Sequence, residues 1–543
     1  MRNLNKLKTN VFDVLIIGAG AHGATAAYHA SKAGLKIAII DQDDFCGATS
    51  ANSLKIIHGG LRYLQHGNIK RMRHSILARR EMMQIAPHLV KPLACLMPTA
   101  GYGLRSKRLM QLALLLNDCI GLDRNRGISQ EVKLPGGHVV SKKECQRIVP
   151  LLDDENLTGG AVWYDCLASD TERVILEYIL KSIDHGAEAA NYVKASCINK
   201  TNESLYLVDV TDQITKEEFQ VKTKTIVNAA GPWFEKTILC DKHIELKQKW
   251  SIALNIVSKK KIFNEYAVAL EGMTDYQDKD ALLKRGKRLY FFVPWENYTM
   301  IGTEYKLCNE NPGEFQVKAE YIQEMIDGVN SIYPQADLKY EDISFYHAGL
   351  MPIQDESTEN NIQLEKNSSF FEQHDQDFAN VISIRGVKFT TAPYIAHEVV
   401  ALLKKKLQSF DNTEKSKQTQ IGYIGENDRV MDELKSTYPF LLKRYGKRSQ
   451  QVIMYLQKEE GRDIWVDQDA RLLKAEVRYL VEDEFACKLS DIILRRTGIG
   501  TAERPDRPLL EKISQYMGSI LGWSGPQCAE EIETVLDRYK PLI

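Results

Sequence analysis

The sequence predicts an α/β fold, and three observations carry that prediction: an apolar run from Val14 to Ile17, glycines behind it at Gly18, Gly20 and Gly23, and a second apolar run, Ile37 to Ile40, ending on Asp41. Short apolar runs bounded by glycine suit strands buried on both faces of a parallel sheet. The glycines fit G-x-G-x-x-G, in which each has its own task. Gly18 permits the tight turn, Gly20 lets main chain approach a pyrophosphate, and Gly23 lets the following helix lie close on the strand. That helix is expected over roughly Ala21 to Ala33, with its first N–H groups and its dipole aimed at phosphate, and Gly34 stops it. Asp41, eighteen residues after Gly23, is placed to accept hydrogen bonds from ribose hydroxyls. A carboxylate there repels a 2′-phosphate, which argues against NADP. The triplet alone is compatible with a ligand-free turn; triplet, flanking strands and terminal acid together read as a Rossmann-like dinucleotide unit.

At 543 residues the chain is long enough for two or three domains. Hydrophobic content of 44% with 26% charged residues is that of a folded protein with ample core. A net charge of −1 gives no argument for nucleic acid. The ten cysteines include no C-x-x-C, so they read as reduced thiols, and the twelve histidines include no H-E-x-x-H metal spacing. The start, MRNLNKLKTNVF, lacks the apolar core of a signal peptide, and no run approaches the ~20 apolar residues of a spanning helix. The expected location is cytoplasmic.

After Asp41 comes DDFCGATSANSLKIIHGGLRYLQHG, rich in residues that allow close backbone contact with a ligand. Gly47 opens the loop, Thr49, Ser50 and Ser53 offer hydroxyls to phosphates, and His58-Gly59-Gly60 can bring main chain against a flat ring. This block resembles that of the FAD-dependent glycerol-3-phosphate dehydrogenases, a family of the D-amino-acid-oxidase-like flavoproteins. The likeness continues in order through REMMQIAPHLVKP from Arg80, YDCLASDTERVILEYIL from Tyr164, TIVNAAGPW from Thr225, LYFFVPWENYTMIGTEY from Leu289 and GVKFTTAPYIAHE from Gly386.

The resemblance implies an α/β architecture: a discontinuous Rossmann-like FAD-binding domain over 1–95, 155–245 and 380–405, an antiparallel-sheet substrate domain over 96–154 and 246–379, and a C-terminal all-helical domain over 420–543. Between them, Ile69 to Ile85 reads as a helix with Ile69, Met72, Ile76 and Met83 on one side. Residues 105–118 form a basic-then-apolar helix that suits core packing, with a membrane-surface patch as the alternative. A helix near Thr171 to Asp184 and a strand around Ala189 to Ala195 follow, and the polar stretch 405–420 reads as a linker.

By the same resemblance FAD lies against Gly59, Gly60, Leu61, Val193, Ala229, Gly231, Trp233 and the run Gly386, Val387, Lys388, Phe389 and Thr390. The implied reaction takes a hydride from the CH–OH carbon of a small anionic substrate, glycerol 3-phosphate or a relative, with a quinone or oxygen as final acceptor. Peripheral membrane contact on the inner face and a homodimer stay open; nucleic acid is not expected. Arg62 and Lys388 match family site cations. His58 fits a base, a tether or a loop histidine bonded to backbone, and Asp165, Asp170 and Arg173 match a family block in which capping accounts for Asp170. Two departures bear on substrate. HAGLMPI carries Met351 where the family places an arginine, and QKWSIALNIV carries Trp250 and Asn255 in place of small and imidazole groups. Lys247 and Lys249 keep positive groups nearby, and His347, four positions before Met351, is a candidate catalytic residue. An amino or 2-hydroxy acid substrate, or a catalytically silent flavin-binding protein, are the alternatives.

Overall fold

A computed structural model describes residues 2–101, 106–152, 156–201, 205–238, 248–275, 287–359, 361–372, 378–408, 428–457 and 463–542. The chain forms two compact units, one of residues 1–51, 172–247 and 366–540, the other of residues 52–171, 248–365 and 541–543. Lys247 and most of the 405–420 linker lie outside the described residues.

The first unit is built on five parallel strands in the order Val381–Arg385, Glu218–Asn228, Val11–Ile17, Ile37–Ile40 and Glu188–Ala190. Phe12, Leu15, Ile40, Val208, Ile226 and Val381 pack in one core cluster, which explains the unbroken apolar runs. Register sets Ile17 level with both Ile40 and Asn228, so three strands end side by side. Glu218–Asn228 also pairs antiparallel with Tyr206–Asp212, and that strand with Val193–Lys200. The expected strand over Ala189 to Ala195 is thus two strands. They part at Tyr192, whose φ of 56° takes it out of extended geometry.

The same unit includes helices Asp428–Ser436, Pro439–Tyr445, Ser449–Leu456, Lys474–Glu482, Arg507–Leu521 and Gly525–Asp537. The C-terminal part is not wholly helical: Trp465–Asp467 and Leu472–Leu473 form a two-stranded ribbon. A buried polar network joins this part to the loop after Ile40. Asp44 receives Arg495 Nε at 2.5 Å and Arg496 Nη1 at 2.7 Å, and Asn191 Nδ2 donates to it at 2.8 Å. Arg173 pairs with Glu484, both side chains fully buried. Burial alone would raise the Asp44 carboxyl; the charges of Arg496 and Arg495 outweigh it and hold it at about 2.

The second unit holds one large sheet in the order Ile343–Ile353, Lys249–Ser258, Tyr298–Cys308, Lys287–Trp295, Tyr266–Asp275, Val90–Ala100, Leu157–Ala168 and Ile56–Ile57. All neighbours are antiparallel except Tyr266–Asp275 with Val90–Ala100. The boundaries expected from sequence shift accordingly. Residues 52–95 and 155–171, assigned to the FAD-binding domain, belong to the second unit because they supply three strands of its sheet, and residues 366–379 belong to the first.

Helix Ile69–Ile85 buries Met72, Ile76 and Met83, but Ile69, in its first turn, is 56% exposed. Cysteines 46, 95, 119, 145, 166, 308, 487 and 528 are free thiols, whereas Cys197 is disulfide-bonded, against the expectation that all are reduced.

Asp44→Asn leaves two buried guanidinium groups without their carboxylate and is expected to cost about 3–5 kcal/mol, measured as a fall in thermal stability. Because the folded pKa is depressed, the wild-type contribution is present above the ordinary carboxylate pKa near 4 and is lost as pH falls toward 2. The variant should therefore show a flatter acid limb.

Candidate functional site

In the first unit the candidate cofactor residues gather at the C-terminal ends of the parallel strands, where ligands of such sheets bind. Gly18 has φ +99°, and a Cβ on Gly23 would collide with its carbonyl, so the third glycine is what lets helix Ala21–Lys32 start beside the strand. A Cβ on Gly20 would stand 3.0 Å from Ser50 Oγ. Ser50 Oγ accepts from the Ala21 N–H at 3.0 Å and so retains its own proton to donate. Thr49 begins the short turn Thr49–Ala51, and the Gly47 N–H closes on Asp44 O at 3.1 Å.

Asp41 stands at the end of strand Ile37–Ile40, as expected, and has bonds of its own there. Its Oδ2 accepts from the Ala19 N–H at 2.6 Å and its Oδ1 from the Asp43 N–H at 3.0 Å, so it braces the glycine turn from within. Burial raises its pKa to about 7, against the lowering effect of those two bonds, with the charges of Asp43 and Asp44 adding to the rise. Val193 is buried beside it, its N–H on Asp41 O at 2.6 Å.

On the neighbouring strand, Ala229 N–H bonds Ile17 O at 2.8 Å, and Gly231 turns with φ +56° into Gly231–Trp233. Asn228 ties this turn together, donating to Phe234 O at 2.6 Å and accepting from the Ala230 N–H at 3.3 Å. The third strand end leads to Gly386–Thr390. Ser368 Oγ accepts from the Val387 N–H at 2.9 Å and the Lys388 N–H at 3.3 Å, while Thr390 is buried and Thr391 donates to Lys388 O. Phe389 opens the turn Phe389–Thr391. Gly386 backs directly onto His22, since a Cβ there would lie 2.6 Å from the ring.

These residues fit a dinucleotide such as FAD. The first turn of helix Ala21–Lys32 leaves N–H groups without intrahelical partners, Ser50 stands ready to donate, and His22 Nε2 is buried with no hydrogen-bond partner.

In the second unit, the grouping of candidate residues around Asp165 is what the sequence does not show. Asp165, 3% exposed, receives four donors: Gly59 N–H at 2.6 Å, Arg79 Nη1 at 2.8 Å, His58 Nδ1 at 3.0 Å and Trp163 Nε1 at 3.1 Å. Burial would raise the carboxyl, but the hydrogen bond from His58, with the Arg79 charge and the Gly59 N–H, holds it at about 2. His58 is therefore bonded to a carboxylate, not to backbone, and its side chain is 47% exposed. Gly59 has no room for a Cβ against the Arg79 guanidinium, and Gly60 turns with φ +89° into Leu61–His66. Leu61 is partly buried and Arg62 is exposed. Ser53 is partly buried, its Oγ accepting the Lys55 N–H at 3.1 Å.

Asn255 pairs in register with His347 and Gly302, and its Oδ1 accepts from Thr303 Oγ1 at 2.8 Å. The expectation that His347 is catalytic meets a buried ring, 1% exposed and edge-on to Phe345 and Trp295. Met351 lies four residues on along the same face, opposite Ser251. Lys249 Nζ bonds Asp355 O at 2.8 Å, and Trp250 is buried opposite Pro352.

Because the folded pKa of Asp41 is raised, its neutral form is favoured by folding, and stability should fall as pH rises from about 4 toward 7. In Asp41→Asn that slope should flatten, by about 1–3 kcal/mol over the interval, as read from apoprotein unfolding at pH 4, 5.5 and 7.

Residues 13–402 match the family described as FAD dependent oxidoreductase, and residues 430–528 match the C-terminal domain of alpha-glycerophosphate oxidase. The chain is 26% identical to the Synechocystis protein named glycerol-3-phosphate dehydrogenase, over 98% of this chain and 97% of that one. It is 27% identical to the mitochondrial glycerol-3-phosphate dehydrogenase of Mus musculus, over 97% of this chain and 73% of that one. Among solved structures, that of the Bacillus halodurans glycerol-3-phosphate dehydrogenase complexed with FAD is similar, with a TM-score of 0.71 and 21% identity over 99% of this chain and 97% of that one. No described helix is long and apolar enough to cross a membrane. With the glycine turn, the three aligned strand ends and a family match over most of its length, the chain belongs to the FAD-dependent oxidoreductases.

Proposed function

We propose that this chain oxidises the secondary alcohol of a small phosphorylated polyol, sn-glycerol 3-phosphate or a close relative, to the ketone. Bound FAD supplies the hydride acceptor, and a quinone or oxygen takes the electrons onward. The observation that carries the reading is the His58 and Asp165 pair. Loss of hydride from a CH–OH carbon must be matched by loss of the hydroxyl proton, which calls for an oriented base. With Nδ1–H donated to a carboxylate that stays ionised, His58 presents Nε2 as the proton acceptor on a half-exposed ring. Exposed Arg62 supplies a cation for the substrate anion, and Lys388 positive character at the cofactor. The relatives' shared name supports the substrate class.

Met351 favours a second reading. A phosphate dianion calls for more cationic partners than a carboxylate does, and methionine supplies none, so an amino or 2-hydroxy acid held by Arg62 alone is the alternative.

Helix Lys107–Ile120 adds a membrane component. Met110 and Leu114 face inward, whereas Leu109, Leu112, Leu115 and Leu116 are 38, 53, 56 and 48% exposed behind Lys107 and Arg108. That exposure favours the surface-patch reading of this helix over the core reading, as a peripheral contact with an anionic membrane that holds quinone.

Anaerobic mixing with millimolar glycerol 3-phosphate should bleach the oxidised flavin absorbance. Unchanged absorbance there, with reduction by a 2-hydroxy or amino acid, would select the second reading, and no reduction by any of them would mark a silent flavoprotein. His58→Asn should slow flavin reduction about 10²- to 10⁴-fold with FAD still bound. Met351→Arg should speed reduction by glycerol 3-phosphate. Sedimentation with anionic vesicles should fall when Leu112 and Leu116 are both changed to Ser, and equal sedimentation would remove the membrane contact.

A further inference from the structure

His22 occupies the third variable position of the glycine motif, directly before Gly23, where it serves none of the tasks the motif assigns. It is the second residue of helix Ala21–Lys32, so its side chain starts where the helix offers N–H groups to phosphate. Its ring reaches across to Gly386 at the head of the Gly386–Thr390 turn, close enough that a Cβ there would lie 2.6 Å from Nδ1 and Cε1. The side chain thus lies between two parts of the first unit that a dinucleotide-binding sheet presents to one ligand. Its Nε2 is buried with no hydrogen-bond partner. Burial lowers the ring's pKa to about 4, so at neutral pH it is an uncharged imidazole with one N–H to give and one lone pair.

A buried ring nitrogen with nothing to bond to is a cost the folded chain carries. It is removed when an acceptor arrives, and the diphosphate and ribityl oxygens of FAD are the acceptors that belong between a helix N-terminus and a flavin-side turn. We propose that His22 is a cofactor-binding residue: its ring N–H donates a hydrogen bond to an oxygen in the ribityl and diphosphate stretch of bound FAD, and Gly386 is glycine so that the ring can take that position. The inference rests on FAD binding by this unit and adds a residue that the glycine motif leaves unassigned.

Two variants separate this role from packing. His22→Phe keeps a flat ring and removes the donor, and His22→Gln restores an N–H at similar reach. FAD is stripped from the holoenzyme, and its return is followed by flavin fluorescence and by the melting temperature with and without FAD. The expected result is FAD binding about three- to tenfold weaker in His22→Phe, the worth of one hydrogen bond, with an apoprotein melting temperature equal to or above wild type because the unpaired polar atom is gone. His22→Gln should recover most of the affinity. Wild-type affinity in His22→Phe overturns the inference, as does weakened binding in His22→Phe that His22→Gln fails to restore. Should the stripped wild-type chain not rebind FAD, the FAD-dependent function itself fails together with this inference; rebinding by wild type and His22→Phe alike removes only the role of His22.

Discussion

The carboxylate of Asp44, held by Arg495 and Arg496 without access to water, is the constraint on which the cofactor end of the first unit depends. Asp44 sits three residues after Asp41 and three before Gly47, so whatever fixes it also fixes the loop that returns to Ser50 beside the helix start. A buried ion pair is a poor source of net stability, because removing the charges from water offsets most of their attraction. Its strength is as a condition: with the two arginines in place Asp44 is satisfied, and without them the loop would carry an unpaired charge. The pair is extended by Asn191, which donates to both Asp44 and Phe485 O, and by Asp491, which accepts from Arg495 and from the Tyr192 hydroxyl at 2.6 Å. Burial and the nearby Asp44 charge push the Asp491 carboxyl up, so the two acids share the arginines unequally. The helical C-terminal part is therefore joined to the glycine-motif sheet by groups that lose their partners if it detaches.

How much of this was legible follows from sequence distance. The glycine turn, its helix and the second strand lie within thirty residues, where backbone dihedral limits and apolar runs decide structure locally, and they were readable. Asp44 and Arg496 are 452 residues apart, and nothing near either names the other. The same holds for His58 and Asp165 at a separation of 107: both residues stood out, but only folding of Ile56–Ile57 against Leu157–Ala168 makes them one group. That pairing also accounts for the misplaced boundary, since residues 52–95 follow the glycine motif in sequence yet pair with the other sheet. The ribbon at Trp465–Asp467 was invisible for a different reason, being too short for a two-residue period to register. Asp41 was readable as a strand-end acid, while its bonds to the Ala19 and Asp43 N–H groups come from turn geometry that the motif does not spell out.

Met351 belongs to neither class, because its position was legible and its meaning depends on the sheet. Along Ile343–Ile353 alternate residues share a face, so Phe345, His347, Gly349 and Met351 look the same way, with Asn255 opposite His347 and Ser251 opposite Met351. The backbone at this point is dictated by ladder pairing on Lys249–Ser258 and is indifferent to the side chain it carries. An arginine and a methionine of similar length could occupy the position with the same register, and the difference between them is the field: a fixed positive charge against a polarisable, uncharged thioether. The buried ring of His347 adds no charge-bearing surface in compensation, and Lys249 is engaged with the Asp355 carbonyl. Exposed Arg62 sits beyond the Gly60 turn, next to Gly59, whose N–H is held by Asp165. The Asp165 carboxylate thus bonds His58 and also anchors the loop that carries Arg62. His58 and the turn before Arg62 are therefore coupled through Asp165, whereas Met351 stands on a strand whose register is set by its pairing with Lys249–Ser258.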